Sequence, residues 1–169
     1  ERLNGRIKDL DAVNQIGQTL TAGIQLEEDE ILHLIHEQAS ELMDTDNMYI
    51  ALYEEETDTV RFPLMYVDGE PNHTEARQGG QGRTEWIIHN QKPILDRTKE
   101  ESQAWYDEEG RQEYIGEPFA SWIGIPMIVR DKVIGVIATY HEDQDYVYDK
   151  HDLLILKSMA SQAAIALDN

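Results

Sequence analysis

Two apolar runs, Ser121–Val129 and Val133–Tyr140, constrain this chain most. Only Arg130-Asp131-Lys132 separates them, too short a connection for a crossover. They are therefore expected to pair as an antiparallel hairpin. Side chains alternate across a strand, so Trp122 and Gly124 share a face opposite Ile123 and Ile125. Likewise Val136, Ala138 and Tyr140 oppose Ile137 and Thr139. The aliphatic set suits a helix-covered core. The set holding Trp122 and Tyr140 suits a pocket wall, where rings stack and a hydroxyl or indole N–H orients a ligand.

Other segments supply the covering layers. Glu1 to Leu20 reads as a helix with a short heptad seam of Leu3, Ile7, Leu10, Asn14 and Gly17. The seam is a candidate dimer interface; the alternative is an amphipathic helix lying on its own domain. A helix from about Leu26 to Met43 presents Ile31, Leu34, Ile35, Gln38, Ala39 and Leu42, with Glu27 to Glu30 at its anion-favouring end. Met48–Tyr53 and Val60–Val67 read as strands around a polar loop, with Pro63 marking a sheet edge. Asp68 to Gln81 is a Gly- and Pro-containing loop. Arg83 to Asn90 is a short helix with Thr84 as candidate N-cap, Pro93 to Leu95 is extended, and Glu100 to Tyr114 is partly helical. A last helix from Asp149 to Leu167 presents Leu153, Leu156, Met159, Ala160, Ala163 and Leu167. Hairpins without strand–helix–strand alternation predict an α+β domain with an antiparallel sheet. The flanking helices cover one face and the irregular middle roofs the other, leaving room for a pocket.

Composition narrows the function. The 169 residues suit one domain, 40% are apolar, and no apolar run reaches a bilayer span. The net charge of −20 argues against nucleic acid and anionic membrane surfaces as partners. With no cysteine there is no disulfide, thiolate metal site, cysteine nucleophile or thioether-linked cofactor, and so no covalent bilin. No signal peptide is visible, and a cytoplasmic setting fits best. The first residue is Glu1 rather than Met, so a piece of a longer protein is expected.

Motifs with possible chemistry are few. His33 and His36 lie three apart on a helix, with Glu37 close by, but read as ordinary surface. His89 or His141 could ligate a haem iron, yet nothing else supports haem. Asp143 to Asp149 has the carboxylate rhythm of a calcium loop, without its Gly at position 6 or its acid at position 12. Gly79-Gly80-Gln81-Gly82 before a helix either binds an anion at the helix start or is a flexible turn.

The hairpin sequences Ser121-Trp-Ile-Gly-Ile-Pro-Met127 and Lys132-Val-Ile-Gly-Val-Ile137 carry a family likeness. So do Gly80-Gln-Gly-Arg-Thr-Glu-Trp-Ile-Ile88, Lys92-Pro-Ile-Leu95, Asp152-Leu-Leu154 and Ser161-Gln-Ala-Ala-Ile-Ala-Leu167, while Tyr49–Tyr53 and Phe62-Pro-Leu64 fit the first strands. In order and spacing the chain resembles GAF domains, especially sensor modules of prokaryotic multi-sensor histidine kinases, over roughly residues 25 to 168. The resemblance implies a PAS-related antiparallel sheet of about six strands, terminal helices on one face and a small-molecule pocket on the other. It divides the chain into a linker helix (1–22) and a GAF domain (23–169). It implies a non-enzymatic regulatory module, dimerising through terminal helices that relay a signal to an output domain in the same polypeptide. Enzymes of this fold reduce free methionine sulfoxide with cysteines, which this chain lacks. The cyclic-nucleotide signature of phosphodiesterase GAF modules is not evident. Candidate ligand-binding residues are Ile50, Leu52, Tyr66, Arg83, Trp86, Trp105, Tyr114, Trp122, Gly124, Ala138 and Tyr140. Arg83 stands where relatives commonly carry an apolar residue, placing a cation either at the pocket rim or in solvent. Two alternatives stay open: a ligand-free dimerisation and relay module whose aromatics only fill space, and a haem-binding sensor.

Overall fold

A computed structural model describes residues 26–168. The expected seam of Leu3, Ile7, Leu10, Asn14 and Gly17 lies outside the described residues. Helix α1 (Glu28–Leu42) leads into strands β1 (Met48–Glu54) and β2 (Thr59–Val67). Two short strands follow, β3 (Glu70–Pro71) and β4 (Arg77–Gln78), then α2 (Arg83–Asn90), β5 (Ile94–Asp96) and α3 (Lys99–Asp107). The long hairpin β6 (Ser121–Val129) and β7 (Lys132–His141) precedes the final helix α4 (Lys150–Asp168). The sheet runs β3-β2-β1-β7-β6-β5, with β4 also on β2, and its pairings are antiparallel.

Each helix start has a local cause. Asp149 caps α4, its Oδ1 accepting from the N–H groups of His151 and Asp152. Thr98 caps α3 by accepting from the Glu101 N–H at 3.1 Å. Glu30 folds back to the Glu27 N–H at the start of α1. Helix α2 begins one residue before Thr84; Gly82 is its N-cap. The Thr84 hydroxyl instead meets the Tyr49 phenol at 2.6 Å, joining the roof to the sheet.

Two apolar layers sandwich the sheet. On one face α1 and α4 bury Ile35, Leu32, Leu156, Met159 and Ala163 against Met48, Ile50, Leu64, Ile123, Ile125 and Ile137. On the other, Ile87, Ile88 and Trp105 cover Ala51, Val60, Trp122, Val136 and Ala138. The hairpin register explains the division: Gly124 faces Ala138, and Ile125 faces Ile137. Strand β2 has a bulge opposite Ala51, because Ile50 pairs Leu64 while Leu52 pairs Arg61. The extra residue reverses the alternation, so Val60 and Phe62 face the roof while Leu64 and Tyr66 face the helices. Pro63 sits within this irregularity, in the stretch of β2 between its pairings with β4 and β3, where no outer strand needs its missing N–H.

Candidate functional site

Over the roof face the sheet is not fully covered. A cleft of about 300 Å³ opens beside α2, floored by Tyr49, Phe62, Trp122 and Tyr140. Its walls come from Met65, Thr74 and Arg77 on one side and Tyr106 with the segment Ile115–Phe119 on the other. The floor is ordered by its own ring contacts. Tyr49 meets Phe62 edge-on at 5.7 Å, and Phe119 stacks on Tyr140 at 4.7 Å. Burial pushes the phenols of Tyr49 and Tyr140 up, so both remain neutral hydrogen-bonding groups at physiological pH.

Two guanidinium groups border the cleft, and each is neutralised from within the protein. Arg83 is 5% exposed. Its Nη1 donates to Asp96 Oδ2 at 2.5 Å and its Nη2 to the Ser102 carbonyl at 3.3 Å. The same guanidinium lies 4.9, 4.6 and 5.0 Å from the rings of Trp105, Tyr106 and Trp122. Burial pushes the Asp96 carboxyl up, and the Arg83 cation opposes that shift. Arg77 donates from Nε and Nη2 to the Glu85 carboxylate, both at 2.7 Å, with Glu85 only 2% exposed. Glu85 Oε1 also accepts from the Gly82 N–H at 3.2 Å.

That last contact answers the question of the glycine run. The start of α2 already holds a carboxylate, from its own third residue, so no external anion is needed there. Gly80 makes the arrangement possible. A Cβ at this position would stand 2.2 Å from Glu85 Oε2 and 2.8 Å from Arg77 Nε.

The expected ligand-binding residues separate into four groups. Arg83, Trp122 and Tyr140 line the cleft, and Arg83 is buried among rings rather than placed at a rim or in solvent. Trp86, Trp105 and Tyr114 lie on the roof side but pack with one another and with Arg111, whose guanidinium sits 4.5 Å from Trp105. Gly124 and Ala138 share that face beneath α2; a Cβ on Gly124 would strike Trp122 and Ile87. Ile50, Leu52 and Tyr66 are on the opposite face, in the helix-side core. Ile50 aligns with Ile137 across β1 and β7, which turns Met48, Ile50 and Leu52 toward the helices and Tyr49 and Ala51 toward the roof. Tyr66 stacks on His36 at 3.9 Å there. The cleft residues Tyr49, Phe62, Arg77 and Tyr106 were absent from the sequence-based set. Tyr49 could have been found by fixing the β1 phase against Ile137; Arg77 and Tyr106 come from segments without periodicity.

Other candidate chemistry falls away from the cleft. His89 and His141 do not line it. His141 Nδ1 accepts from the N–H groups of Asp143 and Gln144. In the calcium-like stretch, Asp145 accepts from the Lys99 N–H and Asp149 caps α4. Among the described residues no cluster of His, Asp or Glu could hold a metal ion. Among them, too, no helix is long and apolar enough to cross a membrane.

A family model for the GAF domain matches residues 25–168. The chain belongs to the GAF domain family. No curated protein matches the sequence. Similar solved structures include the GAF domain of an Acinetobacter phosphoenolpyruvate-protein phosphotransferase, 18% identical with a TM-score of 0.70, covering 94% of this chain and 92% of that one. The nlh2 GAF domain of A. aeolicus, in an inactive state, is 18% identical with a TM-score of 0.69, covering 97% and 98%. The free methionine-R-sulfoxide reductase of Neisseria meningitidis, solved with its substrate, is 14% identical with a TM-score of 0.64, covering 95% and 88%. At these identities the likeness extends to the fold alone. GAF domains as a family are regulatory and sensory modules, though the fold also carries this reductase.

Proposed function

We propose that this GAF domain senses a small molecule in the cleft over its roof face and relays occupancy through its terminal helices. The observation that carries this reading is the cleft itself, floored by Tyr49, Phe62, Trp122 and Tyr140 and roofed by a segment with little regular structure. A ligand wedged between Tyr140 and the Ile115–Phe119 segment would shift β7, and β7 connects through residues 142–149 to α4. We place the module in a multidomain cytoplasmic signalling protein, a sensor histidine kinase, working as a dimer. We assign it no catalysis of its own. The chain has no cysteine, so reduction of methionine sulfoxide by thiols lacks its reactive groups. The test is ligand screening by thermal shift on the wild-type domain and on Thr74→Trp, which fills the cleft mouth. Stabilisation of the wild type alone supports the reading; no stabilisation by any compound overturns it.

A ligand-free relay module is the second reading. It draws on Leu154 and Ile165, 61% and 60% exposed and eleven positions apart on α4, hence on one stripe of that helix. A monomer by light scattering at all concentrations would count against it.

A further inference from the structure

The cleft has an unusual charge balance, and it limits what can bind. Both cations at its wall are cancelled by buried carboxylates, Arg83 by Asp96 and Arg77 by Glu85. The remaining charged residue lining it is Glu117, which has no ion-pair partner among the described residues. The chain as a whole carries −20. A full anion would therefore meet no net positive charge at the wall and a repulsive field outside. Yet donors remain. Arg77 uses Nε and Nη2 on Glu85, and its Nη1 has no partner among the described residues. Its guanidinium is fixed in place, held by that bidentate pair and lying 5.1 Å from the Phe62 ring. A donor that is rigid but locally neutralised suits a carbonyl oxygen better than a carboxylate or phosphate. The neutral phenols and flat rings of the floor complete a site for an uncharged planar body.

Resting on the sensory reading above, we infer that the cleft selects flat, uncharged aromatic or heteroaromatic molecules carrying an amide-like carbonyl, read by Arg77, and rejects their anionic counterparts. The experiment compares matched amide and carboxylate probes of equal shape: indole-3-acetamide with indole-3-acetate, and nicotinamide with nicotinate. Isothermal titration at pH 7.5 and 150 mM salt on the domain is expected to give at least tenfold tighter binding of an amide than of its carboxylate. Thr74→Trp is expected to abolish it. Arg77→Lys, which keeps a cation for Glu85 but loses the planar fork, is expected to weaken amide binding at least fivefold while leaving the folded spectrum unchanged. A carboxylate that binds as well as its amide overturns the inference while leaving the sensory reading intact. So does amide binding that Arg77→Lys does not weaken. Binding that survives Thr74→Trp places the ligand elsewhere and also overturns the inference. No binding by any probe, together with no stabilisation in the wider screen, overturns both.

Discussion

Removing the Arg83 side chain would leave Asp96 a buried carboxylate without its cation. Breaking such a pair from one side costs about 3–5 kcal/mol, whereas replacing both members with neutral groups of similar volume costs much less. Arg83→Met should therefore lose about that much stability in urea unfolding, and Arg83→Met with Asp96→Asn should regain most of it. A single variant as stable as the wild type would mean the pair is already balanced by solvent. Neutralising Asp152 should have the opposite effect on stability. Burial pushes its carboxyl up to about 6; the Asp149 N–H that donates to it opposes the shift, and the Asp149 carboxylate adds to it. The unfolded value is about 3.9, so the native state holds the proton more tightly. The stability linked to this group is full below pH ~4 and is lost as pH rises through about 6. Asp152→Asn should then stabilise the domain by about 1 kcal/mol at pH 7.5, a figure reduced for the solvent that screens a partly exposed group. The gain should vanish near pH 4. Chemical denaturation at both pH values checks this, and a gain independent of pH would refute the linkage.

Of the glycines at which elements meet closely, Gly135 and Gly80 differ in what a Cβ would strike. A Cβ at Gly135 would lie 2.3 Å from the Ala51 carbonyl oxygen and 2.5 Å from Met127 Cε. Gly135 sits in β7 opposite Leu52 of β1 and Met127 of β6, so backbone as well as side chain must give way. Gly135→Ala should cost at least about 3 kcal/mol, at the upper end for overpacking, and widen the β1–β7 pairing. Gly80→Ala meets only the ends of Arg77 and Glu85. Displacing these side-chain ends breaks their ion pair but leaves the backbone in place, so its cost should be about 1–2 kcal/mol, with the Arg77–Glu85 geometry lost before the fold. Urea midpoints of the two variants should therefore fall in the order Gly80→Ala above Gly135→Ala; the reverse order would contradict this view of the packing. At this scale the hairpin, α1 and α4 were legible from periodicity alone. The short strands β3 and β4 were not, because two residues carry no pattern and pair only where β2 exposes an edge. Likewise Thr84, a good N-cap by type, is drawn away by Tyr49 from another element.

The molecule as a whole is strongly acidic, with 34 acidic residues against 14 basic ones. Charges of one sign on a compact surface repel, and the compact state suffers more than the expanded one. Salt screens that repulsion. Raising sodium chloride from 20 to 300 mM should lift the melting temperature by about 2–4 °C, the shift that about 1 kcal/mol gives for a domain of this size. A melting temperature that falls would mean that ion pairs such as Arg61–Glu28 outweigh the net repulsion.

The amino-acid order by itself determined the α+β class, the antiparallel hairpin and the two covering helices. These follow from periodicities of 2 and 3.6 that each segment carries internally. It also determined that Ile123 and Ile137 oppose the face bearing Trp122 and Tyr140. Only the tertiary structure decided which face β1 turns to each layer. That depends on its register with β7, where Ile50 falls opposite Ile137, and no feature within β1 encodes it. The same holds for Arg83. Its sequence neighbours leave it free to reach solvent. Asp96, Trp105, Tyr106 and Trp122, brought in from three further elements, make a buried, ring-lined place for it instead.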